Sequence, residues 1–138
     1  MNDPSQIVYE WLTKTGTDLY REVADRVTEG LLHAGFTNTE KRIVFVVEVG
    51  TPESPVGLIS NMVSARCYGG TNSEADASSV ARALYNRFVV DTRKAPGRVS
   101  TGRLLRARCV MIAPGPPEEV EGGQSWPVHL VRIEVITE

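Results

Sequence analysis

The sequence has only two cysteines, Cys67 and Cys109, and both lie in apolar stretches rather than in Cys-x-x-Cys spacing. This scarcity argues against a disulfide framework or a thiolate metal site, so we interpret both residues as reduced core thiols. Long apolar runs are missing too, and the longest, Ile43 to Val47, is far too short to span a bilayer. With Asp3 and Glu10 in it, the start of the chain lacks the basic-then-apolar pattern of a secretory signal. These absences predict a cytoplasmic protein that needs no membrane.

Recognisable catalytic signatures are missing as well. The sequence has no Gly-x-x-x-x-Gly-Lys-Ser/Thr loop, no His-Glu-x-x-His and no Gly-x-Ser-x-Gly. The two histidines are isolated, so we interpret His129 as a strand imidazole and His33 as a residue that helps to end a helix before Gly35. We therefore predict that the protein is not an enzyme.

Two segments could bind ions, although each has a simpler interpretation. Gly69-Gly70-Thr71 precedes a helix, where free amide groups could hold a phosphate, but no basic residue lies beside it and helix entry explains both glycines. Glu118, Glu119 and Glu121 could chelate a hard cation if their loop folded back, but a solvated acidic loop is simpler. We therefore predict no cofactor and no metal site.

The composition is that of an ordinary globular protein, with 41% hydrophobic and 23% charged residues in a chain of 138. A chain of this length suits one domain, which we expect over residues 1–138. The formal net charge of −2 gives the chain as a whole no general attraction to nucleic acid or to anionic membranes.

The first elements are predicted from helical spacing and turn signals. Asp3 and Pro4 form a helix start and an apolar stripe follows, so a helix is predicted at Pro4 to Lys14. The stripe comprises Ile7, Val8, Trp11 and Leu12. Next we favour a strand at Thr17 to Val23 followed by a helical turn or short helix, although four apolar positions also fit a helix that stops at Gly35. These positions are Val23, Val27, Leu31 and Leu32.

Two β-branched runs predict an antiparallel hairpin. Ile43 to Val49 is apolar on both faces, as expected of a central strand, and Val56 to Tyr68 alternates as a long second strand. Gly50 to Pro55 has the glycine and prolines of a turn between them. Ile59, Val63, Ala65 and Cys67 share one parity, and Ser60, Ser64 and Arg66 share the other.

The clearest helix is predicted from Ser73 to about Phe88. Thr71 with Glu74, and Ser73 with Asp76, stand in capping-box spacing. The apolar stripe comprises Ala77, Val80, Ala81, Leu84, Tyr85 and Phe88, and the polar side comprises Asp76, Ser79, Arg82, Asn86 and Arg87. This pattern is typical of a helix that lies with one face on a sheet.

Two more strands are predicted at Arg103 to Ile112 and at Trp126 to Ile136, with a polar loop at Pro114 to Ser125 between them. A shift of apolar parity between Leu130 and Val131 predicts a bulge in the last strand. The fold class is therefore α/β of the α+β type. We expect a mainly antiparallel or mixed sheet of four to five strands, flanked by an N-terminal helix and one long crossing helix.

One stretch of the chain is strongly basic. No acidic residue lies between Asp91 and Glu118, although six of the 15 basic residues do. They are Arg93, Lys94, Arg98, Arg103, Arg106 and Arg108. They could form a solvated face paired with distant carboxylates, an ion-paired subunit interface, or a surface that faces a phosphate backbone. The candidates for an oligomer interface or a lumen are Arg98, Arg103, Arg106 and Arg108.

The order and spacing of several phrases resemble the tail terminator or tail completion proteins of long-tailed phages and related prophages. The phrases are Ile7-Val8-Tyr9-Glu10-Trp11-Leu12, Val47-Glu48-Val49-Gly50, Ala65-Arg66-Cys67-Tyr68-Gly69-Gly70, Ser73-Glu74-Ala75 and Trp126-Pro127-Val128-His129-Leu130. The resemblance spans nearly the whole chain and agrees with the missing active site.

This resemblance implies a sheet flanked by helices that forms a ring, usually hexameric, on the head-proximal end of the tail tube. Such a ring stops tube growth and docks the filled head. The expected partners are further copies of the chain, the tail tube protein, a neck or head-closure protein and, transiently, DNA in the lumen. The protein would assemble in the host cytoplasm and reside in the virion.

The candidate loop contacts of such a ring are Thr51, Pro52, Glu53, Glu118, Glu119 and Glu121. Two alternatives remain open from the sequence. One is another neck component, such as a head-closure or head–tail joining protein, and the other is a small α/β ligand-binding domain.

Overall fold

A computed structural model describes residues 3–30, 40–52, 58–70, 74–94, 97–120 and 124–138 of the chain. The helices are α1 (Pro4–Leu12), α2 (Asp18–Val23), α3 (Glu74–Tyr85) and α4 (Asp91–Lys94), and a π-helical turn (Asn86–Val90) joins the last two. The strands are β1 (Val27–Glu29), β2 (Arg42–Pro52), β3 (Ile59–Tyr68), β4 (Gly97–Val99), β5 (Gly102–Pro114), β6 (Glu118–Val120), β7 (Gln124–Trp126) and β8 (Val128–Thr137).

The main sheet has six strands in the order β1-β2-β3-β8-β5-β4. The predicted α+β class is confirmed, but the sheet is larger than the four to five strands expected. The difference comes from β1 and β4, three-residue edge strands that are too short to show alternation. β1 runs parallel to β2 and the other neighbours are antiparallel, so the sheet is mixed.

The first helix agrees with its predicted start and ends slightly earlier than predicted. An Oδ1 atom of Asp3 accepts a hydrogen bond from the Ser5 amide at 3.0 Å, which caps the helix that Pro4 begins. The helix ends at Leu12 rather than Lys14, and the Thr13 hydroxyl donates back to the Tyr9 carbonyl. The predicted apolar stripe is fully buried.

The predicted strand at Thr17 to Val23 is wrong, because this segment forms α2. The Thr17 hydroxyl caps the helix by accepting the Tyr20 amide at 3.0 Å, and Leu19 and Val23 are buried one turn apart. A helix continuing toward Gly35 is also excluded, since the chain leaves the helix at Ala24 with φ of 51° and enters β1 three residues later. Leu31, Leu32, His33 and Gly35 lie outside the described residues.

The predicted hairpin is confirmed by the pairing of β2 with β3. Its antiparallel register runs from Arg42 opposite Tyr68 to Val49 opposite Asn61, and the predicted parity of β3 matches its alternating burial. β3 begins at Ile59 rather than Val56, and residues 53–57 of the turn lie outside the described part of the chain.

The predicted crossing helix is present and extends further than its pattern indicated. α3 begins at Glu74, and helical backbone continues through the π-helical turn to Lys94. Within that turn Arg87, Phe88 and Val89 are all buried, so this part of the helix is covered more widely than a single apolar stripe would be. The assignment of Arg87 to the polar side is therefore wrong. Thr71 and Ser73 lie outside the described residues.

The bulge predicted in the last strand is also wrong. β8 pairs without interruption to β3, and the register shifts occur in β5 instead, at Leu105 and Val110. The parity of β8 changes because Val128 and Leu130 pack on the opposite face of the sheet from Val131 and the residues after it. Part of the loop predicted at Pro114 to Ser125 is a small hairpin, in which β6 pairs with β7.

Candidate interaction surface on the open face of the sheet

The two faces of the sheet differ in what covers them. α1 and α3 pack on one face, where they bury the main core with Phe45, Val63, Leu104 and Ile133. We call the other side the open face, because no described helix packs on it. Its side chains form cross-strand rows from β2 to β5. One row is Val46, Ser64, Arg132 and Met111, and the next is Glu48, Met62, Glu134 and Arg108.

The four candidate arginines all lie on this open face. Arg106 and Arg108 occupy β5 opposite Ile136 and Glu134 of β8. Arg98 of β4 lies directly opposite Arg103 of β5, and its neighbour Gly97 faces Trp11 on the helical side. The sheet therefore brings together the residues that the sequence placed in one basic stretch. Arg93 and Lys94 belong to α4 in the helical layer and are not part of this cluster.

The prediction missed three arginines of the same face, because they come from other strands. Arg42 lies on β2, Arg66 on β3 and Arg132 on β8, each with open-face parity. The alternation of β3 had indicated this face for Arg66, but alternation alone does not show which strands are neighbours. On the open face of the described sheet, arginines outnumber acidic residues. Those acidic residues are Glu48, Glu134 and Glu138.

Two of the four candidates have partners within the chain. The Arg103 guanidinium forms an ion pair with Glu138, and the two residues also exchange backbone hydrogen bonds. Arg108 reaches Glu134 at 3.5 Å but remains largely exposed. Arg106 and Arg132 are exposed and form no hydrogen bond or ion pair with a residue that the structure describes. Those two guanidinium groups are therefore available to another molecule.

One end of the open face is apolar and is covered by β7. The Trp126 ring lies 4.6 Å from the Tyr68 ring between centroids, and its Nε1 donates to the Gly69 carbonyl at 2.8 Å. Val44 and Val128 complete this second buried cluster. Beside it lies a shallow groove of about 370 Å³, whose lining includes Val46, Met111, Leu130 and Arg132. The open face thus combines apolar surface with positive charge.

The candidate loop residues are separated by the fold. Thr51 and Pro52 end β2, while Glu118 and Glu119 belong to β6, opposite Trp126 and Ser125. Glu53 and Glu121 lie outside the described residues. In the described ranges, no group of three or more histidine, cysteine or acidic residues could hold a metal ion. None of the helices described is long and apolar enough to cross a membrane.

Gly69, for which the sequence favoured helix entry over phosphate binding, has a structural role in the fold. The Gly69 amide donates to the Pro127 carbonyl at 3.2 Å, and its carbonyl accepts the Trp126 indole. This glycine therefore holds β7 against the sheet, and Thr71 lies outside the described residues.

Both cysteines are free thiols in the structure, and Cys67 is buried in the core. Burial raises the pKa of the Cys67 thiol far above its ordinary value. Cys109 is half-buried, and burial also raises its pKa, against a smaller lowering by the Met111 amide. A raised pKa leaves little thiolate at neutral pH, so neither cysteine is an activated nucleophile.

His129 lies at the edge of a second groove, between α3 and β5. The groove has a volume of about 340 Å³ and is lined by Tyr85, Ile112, Pro114 and His129 among others. The imidazole is 9% exposed, and its buried Nδ1 has no hydrogen-bond partner among the described residues. The sequence indicated a strand histidine but gave no sign of this groove, which depends on the packing of α3.

Comparisons with known proteins establish a fold relationship. No family model matches the chain, and no curated protein matches it. Among solved structures, the chain is similar to a protein chain in the virion of a native gene transfer agent (GTA) particle. The TM-score is 0.58 at 17% sequence identity, and the match covers 98% of this chain and 95% of that chain. The two chains therefore share a fold from end to end.

Proposed function

We propose that the protein is a structural component of a phage-like virion. In this role it caps the head-proximal end of the tail tube as a ring, stops tube growth and joins the tail to the head. The observation that carries the proposal is the end-to-end similarity to a chain of a GTA virion. The resemblance of the Ile7–Leu12 and Trp126–Leu130 phrases to tail terminator proteins supports the more specific role.

The open face supports an assembly role in physical terms. An assembly protein needs a rigid surface whose contacts are satisfied only in the complex. Arg106 and Arg132 are exposed, and exposed Met111 lies next to Arg132 across the sheet. Such a surface fits a neighbouring subunit, the tail tube protein or a neck protein, and its arginines could also line a lumen through which DNA passes.

Deletion of the gene in the producing organism tests the proposal. Loss of a tail terminator should give tubes of abnormal length together with filled heads that lack tails. Tubes of normal length that fail to join heads would favour a head-closure or head–tail joining protein instead. Purified particles that never contain the protein, and that assemble normally without it, would refute a virion role.

A second candidate function, a small ligand-binding domain, is favoured by the groove beside His129. A buried Nδ1 that has no partner in the described part of the chain can accept or donate one hydrogen bond to a ligand. Native mass spectrometry of the purified protein tests this alternative. A small molecule retained at one per chain, and lost in Tyr85→Ala, would support it.

A further inference from the structure

Two strands of the main sheet have long edges that no other described strand covers. β1 pairs with β2 only at Ile43–Phe45, so the edge of β2 from Val46 to Val49 is open among the described residues. β4 pairs with β5 only at Gly102–Leu104. No described strand therefore pairs with the β5 edge from Arg106 to Ile112. Uncovered edges present unpaired backbone N–H and C=O groups and are templates for strand pairing.

The exposed apolar side chains concentrate on these two edges. Among the described residues, six large hydrophobic side chains are exposed, and five of them lie on the open segments of β2 and β5. They are Val46 (49% exposed), Val49 (56%), Val110 (46%), Met111 (36%) and Ile112 (47%). Exposed apolar residues that cluster on a strand edge mark an interaction site, so both edges are candidate binding surfaces for another chain.

The direction of the two strands allows them to pair with each other between copies. β2, β3, β8 and β5 are successive antiparallel neighbours, so β5 runs opposite to β2. A rotation about an axis along the strands preserves these directions. The β5 edge of one copy would therefore meet the β2 edge of the next copy as an ordinary antiparallel pair.

The two edges also lie at the same height in the sheet. The cross-strand rows place Val46 level with Met111, and Glu48 level with Arg108. A head-to-tail contact closes into a ring only when no translation accumulates along the axis, and edges at equal height meet that condition. Edges at different heights would generate a helical filament instead.

The side chains at equal height are complementary. On the open face, Val46 of one copy would lie beside Met111 of the next, and Glu48 would lie beside Arg108. The first pair is apolar and the second is oppositely charged, both of which stabilise cross-strand neighbours. The bulge at Val110 interrupts the β5 edge between these two pairs, so few alternative registers would pair as well.

We propose that β2 of one copy pairs with β5 of the next, head to tail, so that a second copy of this chain completes both open edges. The contact surface comprises Val46, Glu48 and Val49 on β2 and Arg108 and Met111 on β5. This inference rests on the proposed assembly role, because the β2–β5 contact is the one from which the proposed ring would be built.

Cross-linking of variants with one accessible cysteine tests the proposal. Both variants carry Cys109→Ser to remove the half-buried thiol, and Cys67 is retained because it is fully buried. Val46→Cys and Met111→Cys proteins with tags of different mass are mixed and treated with a short bismaleimide. The expected product is the mixed dimer, since facing Cβ atoms in an antiparallel pair are about 5 Å apart. Asn86→Cys, exposed on the helical layer, replaces Met111→Cys in the matched control.

Charge reversal supplies an independent measurement. Glu48→Arg and Arg108→Glu should each weaken self-association about tenfold in sedimentation experiments, because like charges would face each other. The double variant should recover most of the wild-type affinity. Equal weakening in the single and double variants would show that these two residues do not face each other.

The outcomes separate this inference from the proposed function. Homodimers of Val46→Cys or of Met111→Cys at the yield of the mixed dimer would show twofold edge pairing and overturn the head-to-tail contact. Absence of the mixed cross-link in purified particles that contain the protein would overturn it as well. If particles lack the protein, the virion role fails, and cross-linking of the purified protein then decides the contact by itself.

Discussion

Trp11 and Arg87 exchange two hydrogen bonds, although they are 76 residues apart in the sequence. The indole Nε1 donates to the Arg87 carbonyl at 3.1 Å, and the guanidinium Nε donates to the Trp11 carbonyl at 3.0 Å. The guanidinium also stacks on the indole, with its Cζ 3.3 Å from the ring centroid. Burial lowers the pKa of Arg87, while the hydrogen bond that its guanidinium donates to Asp91 opposes that change. The pair joins α1 to the π-helical turn.

Replacement of Arg87 should therefore destabilise the domain. Arg87→Met leaves the Trp11 carbonyl without its donor and Asp91 without its ion-pair partner, and we expect a loss of about 1–3 kcal/mol of unfolding free energy. Urea denaturation measures this loss of unfolding free energy. Arg82→Met, at an exposed position on the same helical segment, is the matched control and should be within about 0.5 kcal/mol of wild type. Equal stability of the two variants would mean that Arg87 contributes nothing to folding.

Gly97 should not tolerate a side chain. A Cβ atom placed there would lie 2.1 Å from the Trp11 ring, so Gly97→Ala should cost about 1–3 kcal/mol through overpacking. The contacted atoms belong to the six-membered part of the indole, which Trp11→Phe removes. A double-mutant cycle in thermal denaturation should therefore show that Gly97→Ala costs less in the Trp11→Phe background. Additive losses would contradict the contact.

A charge in the helical stripe should unfold the domain. Leu84 of α3 is fully buried in the main core, so Leu84→Asp would bury an unpaired carboxylate. We expect a loss of more than about 4 kcal/mol, which should abolish the cooperative transition seen by circular dichroism. Asn86→Asp places the same group at an exposed position nearby and should fold normally. A soluble, cooperatively folding Leu84→Asp protein would refute the packing of this helix.

Glu10 should make the stability of the domain depend on pH in the acidic range. Hydrogen bonds from Ser100, first among several donors, lower the pKa of Glu10 below its ordinary value of 4.5. A carboxylate whose pKa is lower in the folded state stabilises the fold above the unfolded-state pKa, and this contribution is lost as the pH falls through the folded-state pKa. Denaturation at pH 6 and pH 3 should therefore show a smaller acid-induced loss in Glu10→Gln than in wild type. Ser100→Ala should also reduce it, and unchanged pH dependence in both variants would refute the contact.

Arg106 should act in the assembled protein rather than in folding. It is exposed and has no ion-pair partner among the described residues, so Arg106→Glu should leave the monomer within about 0.5 kcal/mol of wild type. If the arginines bridge subunits, rings should not form. If they line the lumen, rings should form, and the defect should appear in DNA retention or ejection. Unchanged assembly, DNA handling and infectivity in an Arg106→Glu, Arg108→Glu double variant would identify a merely solvated strand face.

The sequence by itself determined the elements whose signals are local. The cap at Asp3, the apolar stripe around Leu84 and the alternation of β3 each follow from the period of one helix or strand, because neighbours along that element share its face. The same reasoning predicted the α+β class, the hairpin and the basic stretch around Arg106.

Only the tertiary structure decided the features that depend on neighbours distant in the sequence. By sequence Leu19 and Val23 fit either a strand or a helix, and in the fold they lie on α2, which packs against α3 as a helix. Arg87 looks like a surface residue until the π-helical turn directs it onto Trp11. The open face gathers arginines from five strands, and the level positions of Val46 and Met111 arise from the register of four strands. The repeat of apolar residues along one strand carries no information about the register between strands, so these relationships exist only in the folded sheet.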